Sequence, residues 1–401
     1  MIILGLKNIL LLWLCALFFL WRGRADKKIV SPRRAVVLQR GKLGDMVCTT
    51  PVFCAIKRRF PSCELWVIGD EVNRELLRDN EDIDHYIVWG GFLNTLSRLR
   101  RAGIDAAFLV GPGFEALACF YLAGIPLVSA PVFKRGFSPL ETKTYRLLAR
   151  LARTVPHNLG CYAPREYLRV LEAVGIASDD TSKRLGFSSE AERRVTVFFD
   201  DAGLDSARDL VVGIAPSTGH KVKRWPAARF ARIADYLFKQ YGATILIIGG
   251  PGDKEEIGQM LEHMGRDTKA INTAPLFDLD TKKALIARLS LFVSVDTGPV
   301  YIAEAFGVPT VDIVGPVDHR DQPPVGRLHK VVYLPERKRP AMSVMNARVY
   351  DEAEAKRQTE GITPEAVISA IKELLQEPEL RTKLSRYDGD FATRRPSGRG
   401  G

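Results

Sequence analysis

From residue 35 onward the chain is a series of short apolar runs, each closed by a polar turn and followed by a segment of helical periodicity. Ala35-Val36-Val37-Leu38 reads as a buried strand, followed by the loop Gln39 to Asp45 and a helical pattern reaching Phe60. Leu65–Ile68, Tyr86–Trp89 and Ala106–Val110 repeat the strand signal, with helix-like 71–79 and a basic helix near 92–102 between them. Short buried strands alternating with helices predict a parallel sheet in an α/β layer architecture. The pattern restarts at Leu210–Ala215, which ends in Pro216-Ser217-Thr218-Gly219. Pro226 to Tyr241 carries Phe230, Ile233, Ala234 and Leu237 at i, i+3, i+4, i+7, the spacing of one helical face. Thr244–Ile248, Phe292–Val295 and Thr310–Val314 are further strands, each finishing in a turn with Gly or Pro. In open α/β sheets ligands bind at such carboxyl ends.

Two such units of about 150 residues predict two domains with a cleft between them. The expected boundaries are an N-terminal anchor over 1–24, a basic linker over 25–33, a first domain over 34–208 and a second over 209–360. A C-terminal helix over 361–378 opens on the cap pair Thr363-Pro364. The basic Gly/Arg/Ser tail over 379–401 is expected to be disordered.

Residues 1–21 are apolar except for Lys7 and Asn8, and Arg22-Gly23-Arg24 follows. A cleaved signal peptide carries its charge ahead of the apolar run and a small-residue site behind it. Here the charge follows and no such site is visible. The stretch is just long enough to span a bilayer or to lie in its interface, and the positive-inside rule puts the residues after 24 in the cytoplasm.

The formal charge is +11, yet residues 22–59 and 381–401 together carry a net +13, so the rest of the chain is close to neutral. A body built to hold nucleic acid spreads its positive charge, and this one keeps it at two ends. The six cysteines form no CxxC pair and no metal-ligand cluster, which predicts reduced thiols and no metal.

Several residues stand where chemistry is expected. Asp45 follows the first strand, beside Gly44, and is either a helix cap or a reacting group. Lys223 follows a strand end and precedes Trp225-Pro226; a cation there suits a departing diphosphate. Asp296-Thr297-Gly298-Pro299 opens a helical segment whose first backbone N–H groups can meet a phosphate. Asp253, after the second strand of the second half, stands where a carboxylate commonly accepts from ribose hydroxyls.

Arg40-Gly41-Lys42-Leu43-Gly44-Asp45 with Thr49-Thr50-Pro51, then Gly219 to Pro226, then Gly249 to Asp253, then Asp296 to Pro299 with Gly307 to Thr310, resemble glycosyltransferase family 9. That family contains the ADP-heptose:lipopolysaccharide heptosyltransferases. The resemblance implies a GT-B fold of two Rossmann-like domains facing each other across a cleft, here with an N-terminal membrane-associated helix. It implies an inverting, metal-independent transfer from an ADP-sugar donor to a lipopolysaccharide core acceptor at the cytoplasmic side of the inner membrane, with no cofactor and no nucleic-acid partner. Asp45 becomes the general base and Lys223 the ligand of the diphosphate. Gly44, Ser217, Thr218, Gly219, Asp253, Asp296, Thr297, Gly298, Pro299 and Tyr301 become donor-binding. Arg40, Lys42, Lys134, Arg135, Lys143 and Arg146 suit an acceptor bearing phosphates and acidic sugars. The chain departs from the family at Tyr301, where histidine is usual; a phenol donates one hydrogen bond and titrates near ~10 rather than near neutrality. Another nucleotide sugar with a different surface glycan, or an inactive membrane-tethered binding protein, are the alternatives.

Overall fold

A computed structural model describes residues 2–378, 380 and 381. The expected disordered tail lies outside the described residues apart from Leu380 and Arg381. The chain divides into two compact units.

The first unit comprises residues up to Gly186 together with Arg320–Gln322 and Met342–Tyr350. Its strands are β1 (Arg34–Leu38), β2 (Glu64–Gly69), β3 (His85–Val88), β4 (Ala106–Leu109), β5 (Leu127–Arg135) and β6 (Arg153–Asn158). Its helices are α1 (Ile2–Arg22), α2 (Leu43–Val47), α3 (Thr50–Arg59), α4 (Glu71–Leu76), α5 (Phe92–Ala102), α6 (Phe114–Leu122), α7 (Lys143–Ala149) and α8 (Ala163–Leu168). The strands pair in parallel in the order β3-β2-β1-β4-β5-β6. Ala35, Val36 and Val37 are fully buried, because helices cover both faces of an all-parallel sheet.

The second unit comprises Phe187–His319, Pro323–Ala341 and the chain from Asp351. Its strands are β7 (Val211–Ala215), β8 (Thr244–Ile247), β9 (Ala270–Asn272), β10 (Leu291–Val295), β11 (Thr310–Ile313) and β12 (His329–Val332). Its helices are α9 (Ser189–Asp201), α10 (Ala227–Tyr241), α11 (Lys254–His263), α12 (Leu279–Ala287), α13 (Gly298–Ala305), α14 (Glu352–Glu360) and α15 (Pro364–Leu375). This sheet is also parallel, in the order β12-β11-β10-β7-β8-β9. Counted within each unit, both sheets have the order 3-2-1-4-5-6 of a dinucleotide-binding fold. The chain reverses its direction of sheet growth between β1 and β4 in one unit and between β7 and β10 in the other. Those two points are where ligand crevices open.

Four sequence expectations are corrected. The helical pattern over 43–60 is two helices, since Pro51 in the first turn of α3 supplies no N–H to continue α2. The boundary falls at Gly186 rather than 208: the Ser188 hydroxyl donates to Asp280 at 2.6 Å and the Phe187 ring lies 5.4 Å from Phe306, tying α9 to the second unit. The C-terminal helix α15 is part of the second core through Val367, Ile371 and Leu374.

The fourth correction concerns the amino terminus. Helix α1 is no detached anchor, because Leu11 and Cys15 belong to the first unit's core cluster and pack with residues of α6 and α7. Nor are residues 25–33 wholly a linker: Ala25 is fully buried, donates from its N–H to Leu151 and accepts from Val128. Among the described residues no helix is long and apolar enough to cross a membrane.

Candidate active site

The loop leaving β1 turns into α2, and Asp45 is the third residue of that helix. Its Oδ2 accepts from the Lys42 backbone N–H at 2.8 Å, half of a capping box. Its Oδ1 accepts from Gln322 Nε2 at 3.1 Å, and the same amide donates to the Tyr167 hydroxyl at 3.2 Å. Tyr167 is fully buried, and burial, reinforced by the Asp45 charge, pushes its phenol well up. The aspartate is thus gripped from two sides and half-buried rather than loose on a helix end. Gly44 is buried in α2. The glycine that Asp45 needs is Gly41, where an added Cβ would collide with the carboxylate.

Arg40 stacks over Trp89 at 4.5 Å and reaches Glu115 at 4.0 Å, while Lys42 is the exposed N-cap residue of α2. These two share the Asp45 loop. Lys134 and Arg135 are exposed at the end of β5, and Lys143 opens α7. Arg146, also on α7, is neutralised by Glu141 at 2.8 Å.

In the second unit the switch point holds the other set. Ser217 and Thr218, buried, follow β7, and Gly219 is exposed beside them. The chain then makes a single 3₁₀ turn over Lys221–Lys223. From it the Lys223 ammonium crosses to the end of β10, donating to the Asp296 carbonyl at 2.9 Å and carboxylate at 2.5 Å. The other Asp296 oxygen accepts from the Tyr301 hydroxyl. Tyr301 is almost fully buried, so it reaches the site through Asp296 rather than lining the surface. Thr297 is the N-cap of α13 without a side-chain cap bond, and Gly298 and Pro299 form its first turn with no acidic residue. A helix start leaves its first N–H groups without intrahelical acceptors, which makes it an anion site. Asp253 has a local role: its carboxylate accepts from Gly250 N–H at 2.6 Å and caps the turn into α11.

Three residues at these sites were not singled out from the sequence. Gln322 and Tyr167 carry no local signal, being 277 and 122 positions from Asp45 in the chain. Asp312 did carry one, a lone carboxylate inside the strand Thr310–Ile313. It pairs in register with Ser294 on β10, is fully buried, and neither oxygen has a hydrogen-bond partner. Burial first, and the Asp296 charge second, raise its pKa well above that of an ordinary carboxyl, which favours the protonated form. Three cysteines are held as buried thiols: burial pushes Cys15 and Cys119 up to about 12 and Cys63 to about 11.

Two sheets of dinucleotide-binding order, the second with a lysine and a helix N-terminus at its switch point, place the chain in the two-Rossmann-domain α/β class. Residues 133–348 match the family described as Glycosyltransferase family 9 (heptosyltransferase), and the chain belongs to that family and is a glycosyltransferase. It is 24% identical over 376 residues to lipopolysaccharide heptosyltransferase 2 of Salmonella typhimurium, covering 86% of this chain and 99% of that protein. A family 9 glycosyltransferase from Veillonella parvula shares the fold at a TM-score of 0.69 and 24% identity, covering 86% of this chain and 98% of that one. The E. coli ADP-heptose lipopolysaccharide heptosyltransferase II does so at 0.66 and 19%, covering 85% and 98%.

Proposed function

We propose that the chain is an inverting glycosyltransferase that moves a heptose from an ADP-sugar donor to a lipopolysaccharide core acceptor at the cytoplasmic face of the inner membrane. The observation that carries this reading is the Lys223–Asp296 bridge across the β7/β10 switch point beside the start of α13. A nucleotide diphosphate placed there meets a cation from one side and backbone N–H groups from the other, the two things a departing diphosphate needs. The acceptor hydroxyl attacks the anomeric carbon as the bond to the β-phosphate oxygen breaks. Asp45 takes the hydroxyl proton, and the electron pair leaves on ADP. Lys223 and the α13 amides meet the charge that develops, a role in which a divalent ion is dispensable. Gln322 and the Lys42 amide hold the Asp45 carboxylate in place for that transfer.

Tyr301 supports a second reading, in which the donor is another nucleotide sugar and the product a different surface glycan. The test is transfer by the purified full chain, followed by mass spectrometry of the acceptor, with ADP-heptose and other nucleotide sugars, with and without EDTA. Heptose addition that persists in EDTA is the expected result. Transfer only from a different nucleotide sugar selects the second reading. Donor binding without transfer or hydrolysis would leave a binding protein and overturn both.

A further inference from the structure

Helix α1 lies along α6, running in the same direction. At its start the Lys7 ammonium donates to Glu115, in the first turn of α6, at 2.7 Å. At its end the Arg22 guanidinium donates to the carbonyls of Tyr121 and Ile125, and the Tyr121 hydroxyl returns a bond to Gly23 at 2.6 Å. One side of α1 is thereby committed to the body through Leu11 and Cys15. The opposite side is apolar and exposed: Trp13 at 66%, Leu20 at 81% and Trp21 at 81%, with Leu6, Leu10 and Leu17 also open. Ordinary soluble surfaces expose apolar residues singly rather than as a continuous ridge.

The ridge has neighbours. Between α1 and α5 runs an apolar groove of 460 Å³, walled by Leu14, Phe18 and Trp21 on one side and by Leu93 and Leu96 on the other. Between α1 and α7 runs a second, of 540 Å³, walled by Trp13, Ala16 and Leu20 against Leu147 and Leu151. Beyond the grooves both flanking helices turn basic and exposed, with Arg98 and Arg101 on α5 and Arg150 immediately after α7.

We propose that α1, α5 and α7 form one membrane-docking face, in which α1 lies in the plane of an anionic bilayer and the two grooves beside it take lipid acyl chains. The charge pattern selects this occupant. An apolar ridge bordered on both sides by arginine matches acyl chains bordered by anionic headgroups, whereas a second copy of this chain would set arginine against arginine. A spanning α1 is incompatible with the same contacts, because its Leu11 side is already packed on α6. The orientation also serves the enzyme. Glu115, which holds the start of α1, is the residue that Arg40 of the Asp45 loop approaches at 4.0 Å. The in-plane helix therefore brings the bilayer alongside the edge of the first unit that carries Asp45, where a lipid-anchored acceptor emerges. The inference rests on the first unit alone and not on the identity of the sugar.

Full-length protein is floated with vesicles of phosphatidylethanolamine and phosphatidylglycerol, and separately with phosphatidylcholine alone. The expected result is binding to the anionic vesicles at least tenfold tighter, and a tenfold or greater loss in the combined variant Trp13→Glu, Leu17→Glu, Leu20→Glu with an unchanged melting curve. Should that variant misfold, Arg98→Gln with Arg101→Gln is the second arm, expected to reduce the preference for anionic vesicles several-fold. Quenching by lipids carrying a nitroxide at shallow or deep positions, read as the signal lost in Trp13→Phe and in Trp21→Phe, is expected to place both indoles at one shallow depth. A spanning helix would separate them by about 12 Å of depth, and that result would overturn the proposal. So would failure of the wild type to bind vesicles, or a concentration-dependent dimer that the glutamate variant dissolves while vesicle binding survives. Transfer to a soluble acceptor is read in parallel, so a failed reaction and a failed membrane face are distinguished.

Discussion

Replacing Lys223 by alanine separates the role the structure shows for its ammonium, as partner of Asp296, from the role proposed for it at the diphosphate. In the structure it neutralises Asp296, whose side chain is 9% exposed; in the proposed reaction it also meets the diphosphate. Breaking a buried pair by removing one partner costs about 3–5 kcal/mol. The Lys223 side chain is 19% exposed and the Tyr301 hydroxyl still donates to Asp296, so the lower end applies, about 3 kcal/mol. For a unit of this size that lowers the melting midpoint by about 6–12 °C. Loss of the cation at the transition state costs about 2–4 kcal/mol, or roughly 30- to 800-fold in kcat/KM.

The decisive assay is a double-mutant cycle with Asp296→Asn. In the double variant no uncompensated carboxylate remains, so most of the lost stability returns. The kinetic penalty of Lys223→Ala persists when Asp296→Asn is already in place, because the diphosphate still lacks its cation. If Lys223→Ala adds nothing to the loss of kcat/KM and donor affinity already caused by Asp296→Asn, the lysine is only the partner of Asp296 and the phosphate assignment is refuted.

Asp45→Asn is expected to lower kcat by about 10²–10⁴-fold with donor affinity largely intact, since a base acts on the acceptor; isothermal titration with ADP beside turnover checks it. Turnover within a few-fold of wild type would return Asp45 to its capping role. Asp312 binds its proton more tightly folded than unfolded, so it destabilises the fold increasingly as pH rises from the ordinary carboxylate pKa towards its raised folded value. Asp312→Asn removes that dependence and is expected to raise the denaturation midpoint near pH 7 while leaving it little changed near pH 3; an identical pH profile of the two proteins in urea would show that Asp312 is not held neutral. Deleting residues 1–24 removes Leu11, Cys15 and the partly buried Leu12 and Phe18 from the first core, about 4–6 kcal/mol of burial against a total domain stability of roughly 5–15. The first unit is therefore expected to be unfolded or protease-sensitive in that deletion, and a soluble protein with the wild-type melting curve would contradict the packing of α1.

The legible parts of the fold were those in which burial writes itself into composition. Ala35–Leu38, Leu65–Ile68 and Ile245–Ile247 are uninterrupted apolar runs because helices cover both sheet faces, and each lies in a strand. The strands β5 and β6 were not legible, since Pro131 and Pro156 interrupt them and polar residues close both. Helix α1 misled for a related reason. Core-facing Leu11 and outward-facing Leu10 are the same residue type, so hydropathy alone could not distinguish the side that packs on α6 from the side left open. Asp45, Lys223 and Asp296 stand out in the sequence as candidates because Asp296 directly follows a strand and the other two lie in the segments that leave β1 and β7. Their supports do not: Gln322 reaches Asp45 from a segment between two stretches of the second unit, a contact that only the folded chain creates.

Tyr301 and the buried Asp312 belong to one electrostatic arrangement around Asp296. Asp296 accepts from Lys223 through one oxygen and from Tyr301 through the other, while Asp312 lies close enough to feel its charge and has no donor of its own. In the proposed reaction, a diphosphate that draws on Lys223 takes part of the neutralisation from the Asp296 carboxylate, and a second ionised carboxyl beside it would then be penalised. Keeping Asp312 protonated removes that penalty. The Tyr301 hydroxyl donates its hydrogen bond to Asp296 without adding a charge of its own. The orientation of Asp296, and with it the resting position of Lys223, is then set by the Tyr301 hydroxyl on one carboxylate oxygen and the ammonium on the other, beside a carboxyl whose burial favours the acid form.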